Sequence, residues 1–206
     1  MKLTASILLP LVVAAQLPGR GTVRVEEMVY SGNGCPQGSV SVSMSPDADA
    51  LTIGYDYFHV HIGPGYSPTE KTKDCVIQLT VRNPSGTQFA ITDSTYHGYA
   101  SLDEGLTKII HSTYTFTTGA YDAVIDTQLA IEGGGIWAPG QLFTATKPIP
   151  EASWIWSPCG NSSILATRER VTLQSKSAGA SHSEDDASVP FTHQLGLKWR
   201  ACDQYD

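Results

Sequence analysis

After its first fifteen residues, this chain has no apolar run approaching the ~20 residues that cross a bilayer as a helix. It is poor in basic residues, with 13 Lys and Arg against 20 Asp and Glu, a net charge of −7. Such a surface repels phosphate backbones, so nucleic acid is not an expected partner. No two cysteines stand close enough for a zinc knuckle or a redox Cys-x-x-Cys. No stretch shows the 3.6-residue periodicity of an amphipathic helix. There is no internal repeat, no Gly-x-Ser-x-Gly elbow and no His-Glu-x-x-His pair.

What is present begins with an export signal. Met1 and Lys2 precede an apolar run from Leu3 through Ile7, Leu8, Leu9, Leu11, Val12 and Val13 to Ala15. Small residues at Val13 and Ala15 suit a signal peptidase, with cleavage expected between Ala15 and Gly19. Residues 1–19 are read as signal peptide and short leader, and 20–206 as one β-domain with a flexible loop near 176–187. Losing Lys2 makes the mature chain one unit more acidic. The expected location is secreted, extracellular or cell wall, with no membrane span and a monomeric state.

Export puts Cys35, Cys75, Cys159 and Cys202 in an oxidising compartment, where two disulfides are the default. Three pairings are possible. Cys35–Cys75 and Cys159–Cys202 close the shorter loops, one within each half, and are the expected pair. Asn161-Ser-Ser163 is a glycosylation acceptor sequon, whereas Asn83-Pro84 is disqualified by its proline.

Alternation with a period of two dominates the rest. Val40, Val42 and Met44 alternate with serines, and Cys75, Ile77, Leu79 and Val81 alternate with polar residues. Further strands are expected at 23–29, 51–62, 88–100, 106–117, 123–131, 152–156, 164–174 and 189–199. Arg168-Glu-Arg170 falls within an alternating run and is left as strand. Turns are expected at Ser31–Gly34, Ser45–Asp49, Gly63–Gly65 and Asn83–Gly86. The expected fold class is all-β: a disulfide-stapled antiparallel β-sandwich, jelly-roll-like.

Several segments in order resemble a family of secreted, mostly fungal proteins known as domain of unknown function 4360. They are Gly34-Cys-Pro-Gln-Gly38, Ile62-Gly-Pro-Gly65, Asp74-Cys75, Pro84-Ser-Gly86, Gln88-Phe-Ala90, Asp93-Ser-Thr-Tyr96, Gly98-Tyr-Ala100, Trp156-Ser-Pro-Cys-Gly160 and Leu197-Lys-Trp-Arg200 before Cys202. The resemblance implies secretion, an all-β domain and four cysteines in this order. It carries no activity to transfer, and His59-Val-His61 is not part of its pattern.

The candidate chemistry centres on the expected strand 51–62. There Tyr55, Tyr57, His59 and His61 are expected to share one face, opposite Phe58, Val60 and Ile62. His59 and His61 are a candidate divalent-metal pair if His97, His111, Asp56 or Asp93 supplies a third ligand. No other cofactor is expected. Asp93, in Asp-Ser-Thr-Tyr96, is a candidate binding or catalytic carboxylate, with local hydrogen bonding as its structural alternative. A polysaccharide-cleaving site needs two carboxylates, and Asp56, Asp93, Asp103, Glu104, Asp122, Asp126, Glu132 and Glu169 are available. A serine–histidine–acid site is not decided by sequence, because its members need not be adjacent. The leading expectation is a secreted extracellular binding or cell-surface module, with cell-wall carbohydrate as candidate ligand and Tyr55, Tyr57, His59, His61, Asp93 and Tyr96 as candidate contacts. The alternatives are a secreted polysaccharide hydrolase or lyase using a carboxylate pair, and an effector or structural protein acting through protein contacts.

Overall fold

The computed structural model describes residues 23–117, 123–176 and 189–202. The signal segment and nearly all of the expected loop at 176–187 lie outside them. Nine strands follow in order: β1 Arg24–Ser31, β2 Val40–Met44, β3 Ala50–Tyr55, β4 Thr72–Ala100, β5 Leu106–Phe116, β6 Val124–Glu132, β7 Gln141–Pro148, β8 Gly160–Ser175 and β9 Phe191–Ala201. The only helical pieces among the described residues are short 3-10 turns at Gly135–Trp137 and Glu151–Ser153.

All strand pairs are antiparallel. β4 is the key element, because it belongs to two layers. Its first part pairs with β1 on one side and β8 on the other, through Arg82. Its second part, from Thr87, pairs with β9 and β7. One layer therefore runs β1-β4-β8-β5-β6 and the other β2-β3-β9-β4-β7. The expected turn at Asn83–Gly86 does not reverse the chain; it is the crossing between layers. Gly86 takes a positive φ of 74° there. The Asn83 side-chain amide donates to Thr87 O at 2.8 Å and to Gly160 O at 3.1 Å, which satisfies backbone acceptors freed by the kink.

The period-two pattern sets what each layer buries. The first layer turns Ile77, Leu79, Leu165, Val171, Ile110 and Phe116 inward; the second turns Leu51, Ile53, Phe89, Ile91, Leu195 and Trp199 to meet them. The result is an antiparallel sandwich with one continuous core. Both expected disulfides are present: Cys35–Cys75 and Cys159–Cys202, with Cα separations of 5.7 and 5.8 Å. The first ties the loop after β1 to β4; the second ties the entry of β8 to the residue after β9.

Two expected elements differ, and one strand is additional. The strand predicted at 51–62 ends at Tyr55, because Asp56 and Tyr57 form a bend. The strand predicted at 152–156 is a 3-10 turn followed by a single bridge between Trp156 and Ala90. β7 was not expected. It buries only Phe143, so its sequence lacks a strong apolar alternation.

Candidate functional site

The bend at Asp56–Tyr57 rearranges the face predicted to carry the ligand. It resets the alternation, so Tyr55, Phe58 and Val60 all point into the core. Tyr55 packs on Phe58 and Phe191, with ring centroids 4.9 and 5.7 Å away. Tyr57, by contrast, is 62% exposed. His59 is held locally, its Nε2 3.0 Å from Asp56 O. The His61 ring stacks on Tyr66 at 4.7 Å, and its Nδ1 is buried without a hydrogen-bond partner. Of the candidate third metal ligands, His97 contacts Thr144 and His111 pairs with Asp126, whereas Asp56 adjoins His59 and meets it through its backbone carbonyl. Among the described residues, no group of three His, Cys, Asp or Glu side chains is placed to hold a metal.

Asp93 is half-buried at a bulge in β4. Its Oδ2 accepts from Thr92 Oγ1 at 2.9 Å and lies over Gly196, where a Cβ would stand 2.0 Å away. Its hydrogen bond is local, with the preceding Thr92 as donor. Tyr96 is fully buried and is a core residue.

Tyr96 belongs to a polar relay across the sandwich interior that sequence reading missed. Glu169 on β8 meets His193 on β9, with Oε1 2.8 Å from Nδ1, off the line of a well-aligned hydrogen bond. The other imidazole nitrogen, Nε2, lies 2.7 Å from Ser94 Oγ and 3.0 Å from the Tyr114 hydroxyl. Ser112 donates to Glu169 Oε2 at 2.5 Å. That uses its only proton, so the Tyr96 hydroxyl, 2.7 Å away, must donate to Ser112. Thr127, 2.9 Å from the same hydroxyl, then donates to Tyr96.

Serine, histidine and glutamate here stand in the contact order of a nucleophile, base and orienting acid. Ser94, His193 and Glu169 are each 0% exposed, however. The serine hydroxyl offers no surface from which to meet a substrate, and its neighbour Tyr114 is equally buried. We read the relay as interior architecture: polar groups sealed in the core that largely satisfy one another, with Glu169 Oε1 and His193 Nδ1 in close contact but not in an aligned hydrogen bond. Burial raises the pKa of Tyr114 and Tyr55 well above the ordinary phenol value, with Glu169 and Tyr96 adding to the effect. Burial and Glu169 also raise Tyr96, against lowering hydrogen bonds from Ser112, Ser94 and Thr127. All three phenols therefore stay protonated, and those of Tyr96 and Tyr114 remain available to donate to the relay.

An accessible site lies on the outside of the second layer. The segment after the second 3-10 turn docks on β4: Ser157 N donates to Phe89 O at 2.8 Å, and Phe89 N donates to Ser157 Oγ at 3.1 Å. This fixes the half-buried Trp156 beside the end of β9. The Arg200 guanidinium lies 4.0 Å over its ring. Gln88 is the direct cross-strand partner of Arg200. In the amide orientation that satisfies both of its ends, Gln88 accepts from Arg200 Nε and Nη2 at 3.0 Å each and donates to Ser157 O at 3.0 Å. Trp154 packs edge-on against Trp156 at 6.2 Å, and its indole nitrogen donates to Ile149 O. Together Trp156, Arg200, Gln88, Thr117, Ser157 and Pro158 line an open cleft of about 630 Å³. Trp199 is a core residue, while Trp154 and Trp156 are half-buried.

These features define a class: an antiparallel, disulfide-stapled β-sandwich with a sealed polar interior and an aromatic cleft outside. The chain belongs to the family described as domain of unknown function DUF4360, whose pattern matches residues 21–202. An uncharacterized secreted protein of Arthroderma benhamiae (strain ATCC MYA-4681 / CBS 112371) is 28% identical over 187 residues, which are 90% of this chain and 74% of the relative. The protein is secreted, as that relative is. Among solved structures, it is similar to TmCBM61 in complex with β-1,4-galactotriose, at 9% identity and a TM-score of 0.22, covering 85% of this chain and 89% of that one. It is also similar to a family 11 carbohydrate-binding module from Clostridium thermocellum in complex with a β-1,3-1,4-mixed-linked tetrasaccharide, at 7% identity and a TM-score of 0.28, covering 87% and 96%. Superpositions this loose carry no argument about a ligand. Among the described residues, no helix is long and apolar enough to cross a membrane.

Proposed function

We propose that the protein is a secreted extracellular binding module whose cleft beside Trp156 holds a sugar ring of a cell-wall glycan. The observation that carries this reading is the cleft's composition. A tryptophan ring held in place by a guanidinium offers apolar surface for the C–H face of a sugar. The exposed Thr117 and the half-buried Arg200 guanidinium stand around it to meet sugar hydroxyls, while the buried Gln88 and Ser157 hold Arg200 and Trp156 in place. The cleft volume, about 630 Å³, suits one or two sugar rings. Among the described residues that line the cleft, none forms a nucleophile–base pair, which favours binding over cleavage for this site.

The test is retention on purified fungal cell-wall polysaccharides, followed by titration with soluble oligosaccharides. The wild-type chain should bind at least one fraction. Trp156→Ala should weaken that binding about tenfold or more while the far-UV spectrum and melting temperature hold. Absence of binding to every fraction, or full affinity in the variant, would refute the assignment. Asn161 is exposed at the start of β8. We propose that it carries an N-glycan, which a mobility shift on endoglycosidase treatment will reveal.

A further inference from the structure

The outside of the other layer holds a second feature. Strict alternation along β8 sends Glu169 into the core and its neighbours Arg168 and Arg170 outward. In the ladder with β5, Arg170 stands opposite His111 and Arg168 opposite Thr113. These four side chains enclose a hollow of about 150 Å³. We propose that this hollow binds a single oxyanion group: a carboxylate, or a sulfate or phosphate ester.

Charge and placement argue for it. Both arginines contact the same carboxylate oxygen, Asp74 Oδ2, through Nε at 2.9 and 3.2 Å. Two guanidinium charges thus share one carboxylate, an excess of one positive charge within the Arg168–Arg170–Asp74 cluster itself, with the Asp126 carboxylate set behind His111, on a chain whose net charge is −7. The shared contact lies on the β4 side of β8, since Asp74 pairs with Arg170 across the β4–β8 ladder. The hollow lies on the opposite, β5 side. Each guanidinium carries five donors, so one bond to Asp74 leaves others for the hollow. Thr113 adds a hydroxyl there. His111 lies 2.7 Å from Asp126 Oδ2 across the β5–β6 boundary, so the second nearby carboxylate is engaged with the imidazole. With side chains about half exposed, at 50% for Arg168 and 48% for Arg170, the guanidiniums are reachable from solvent. The volume matches one oxyanion, not a whole sugar ring. A simple clamp on Asp74 would need only one arginine and would not shape a hollow on the far side.

The experiment is an NMR titration of the intact secreted chain with sodium sulfate, inorganic phosphate and sodium glucuronate, each at constant ionic strength. At least one anion should give saturable shifts confined to β8 and β5. Arg168→Gln and Arg170→Gln should each weaken that binding about tenfold. Asp74→Asn removes the competing carboxylate and should tighten it. A preference for glucuronate identifies a carboxylate ligand, and a preference for sulfate or phosphate identifies an ester. Shifts that never saturate overturn the proposal, as does binding unchanged in both arginine variants or weakened in Asp74→Asn. Trp156→Ala lies on the other layer and should leave this titration unchanged, so the fate of the glycan cleft is read separately.

Discussion

Residues 168 to 170 of β8 put two opposite electrostatic solutions side by side. Glu169 points inward, where its carboxylate is fully buried against His193 and Ser112. Arg168 and Arg170 point outward, half exposed, and share Asp74. The backbone is the same strand and the side chains are all ionisable. Only the parity of the pleat differs. Inside, a polar group must be satisfied by protein, because water is excluded. Outside, water and salt screen the same kind of contact until it is worth little. A charged group's energetic weight in this molecule thus follows its parity along the strand more than its chemistry.

The largest effect expected from that contrast is on stability. Glu169→Gln should destabilise the protein by about 1–3 kcal/mol, the usual cost of leaving buried polar partners unsatisfied. Urea unfolding followed by tryptophan fluorescence measures it, and a loss under 1 kcal/mol would erase the contrast between inside and outside. Replacing both partners, Glu169→Leu with His193→Leu, should cost less than the sum of the two single changes.

An intermediate effect is expected at high pH. Tyr55, Tyr96 and Tyr114 all have pKa values raised in the folded state. Unfolding releases them to ionise near the ordinary value of about 10. The folded state then holds more protons than the unfolded one, so stability falls as pH rises above that value. Below it, this contribution is complete. Tyr114→Phe should make the alkaline fall shallower, as read from melting temperatures between neutral and strongly alkaline pH. An unchanged slope would mean that the interior does not hold the phenol as argued.

The smallest stability effect should come from the outer pair. Arg168→Gln and Arg170→Gln should each change stability by about 0–1 kcal/mol, diminishing further in high salt. A loss comparable to that of Glu169→Gln would show the outer cluster to be as structural as the inner one.

The sequence was informative where parity is regular. The alternations at Val40–Met44, Cys75–Val81 and Leu165–Glu169 correspond to β2, the first half of β4 and β8. Loop length favoured the observed disulfide pairing. Parity failed where the chain bends: Tyr55 keeps the core-facing parity of Leu51 and Ile53, and the bend at Asp56 and Tyr57 turns Phe58 and Val60, of the other parity, into the same core. The relay was not legible, because Ser94, Glu169 and His193 are far apart in the chain and meet only through cross-layer packing. A partial signal did exist. Glu169 shares the parity of Leu165 and Thr167, and His193 that of Phe191, Leu195 and Leu197, marking each as a polar side chain on a core-facing row. The Trp156 cleft depends on an irregular segment docking on β4, which no periodicity announces.

The double membership of β4 also dictates an order of assembly. Its register pairs, such as Ile77 with Thr167 and Tyr96 with His193, join residues about ninety to a hundred positions apart. Such high contact order makes folding slow, and an unpaired strand is a template for the wrong edge. A chain made from its N-terminus contains all of β4 before β8 and β9 exist. Of β4's own partners only β1 and the Cys35–Cys75 bridge are in place by then, beside the β2–β3 hairpin, and both attach to the first half of β4. The second half meets β7 next, but its other side must wait for β9, so truncation within β9 should be felt most at the centre of the molecule.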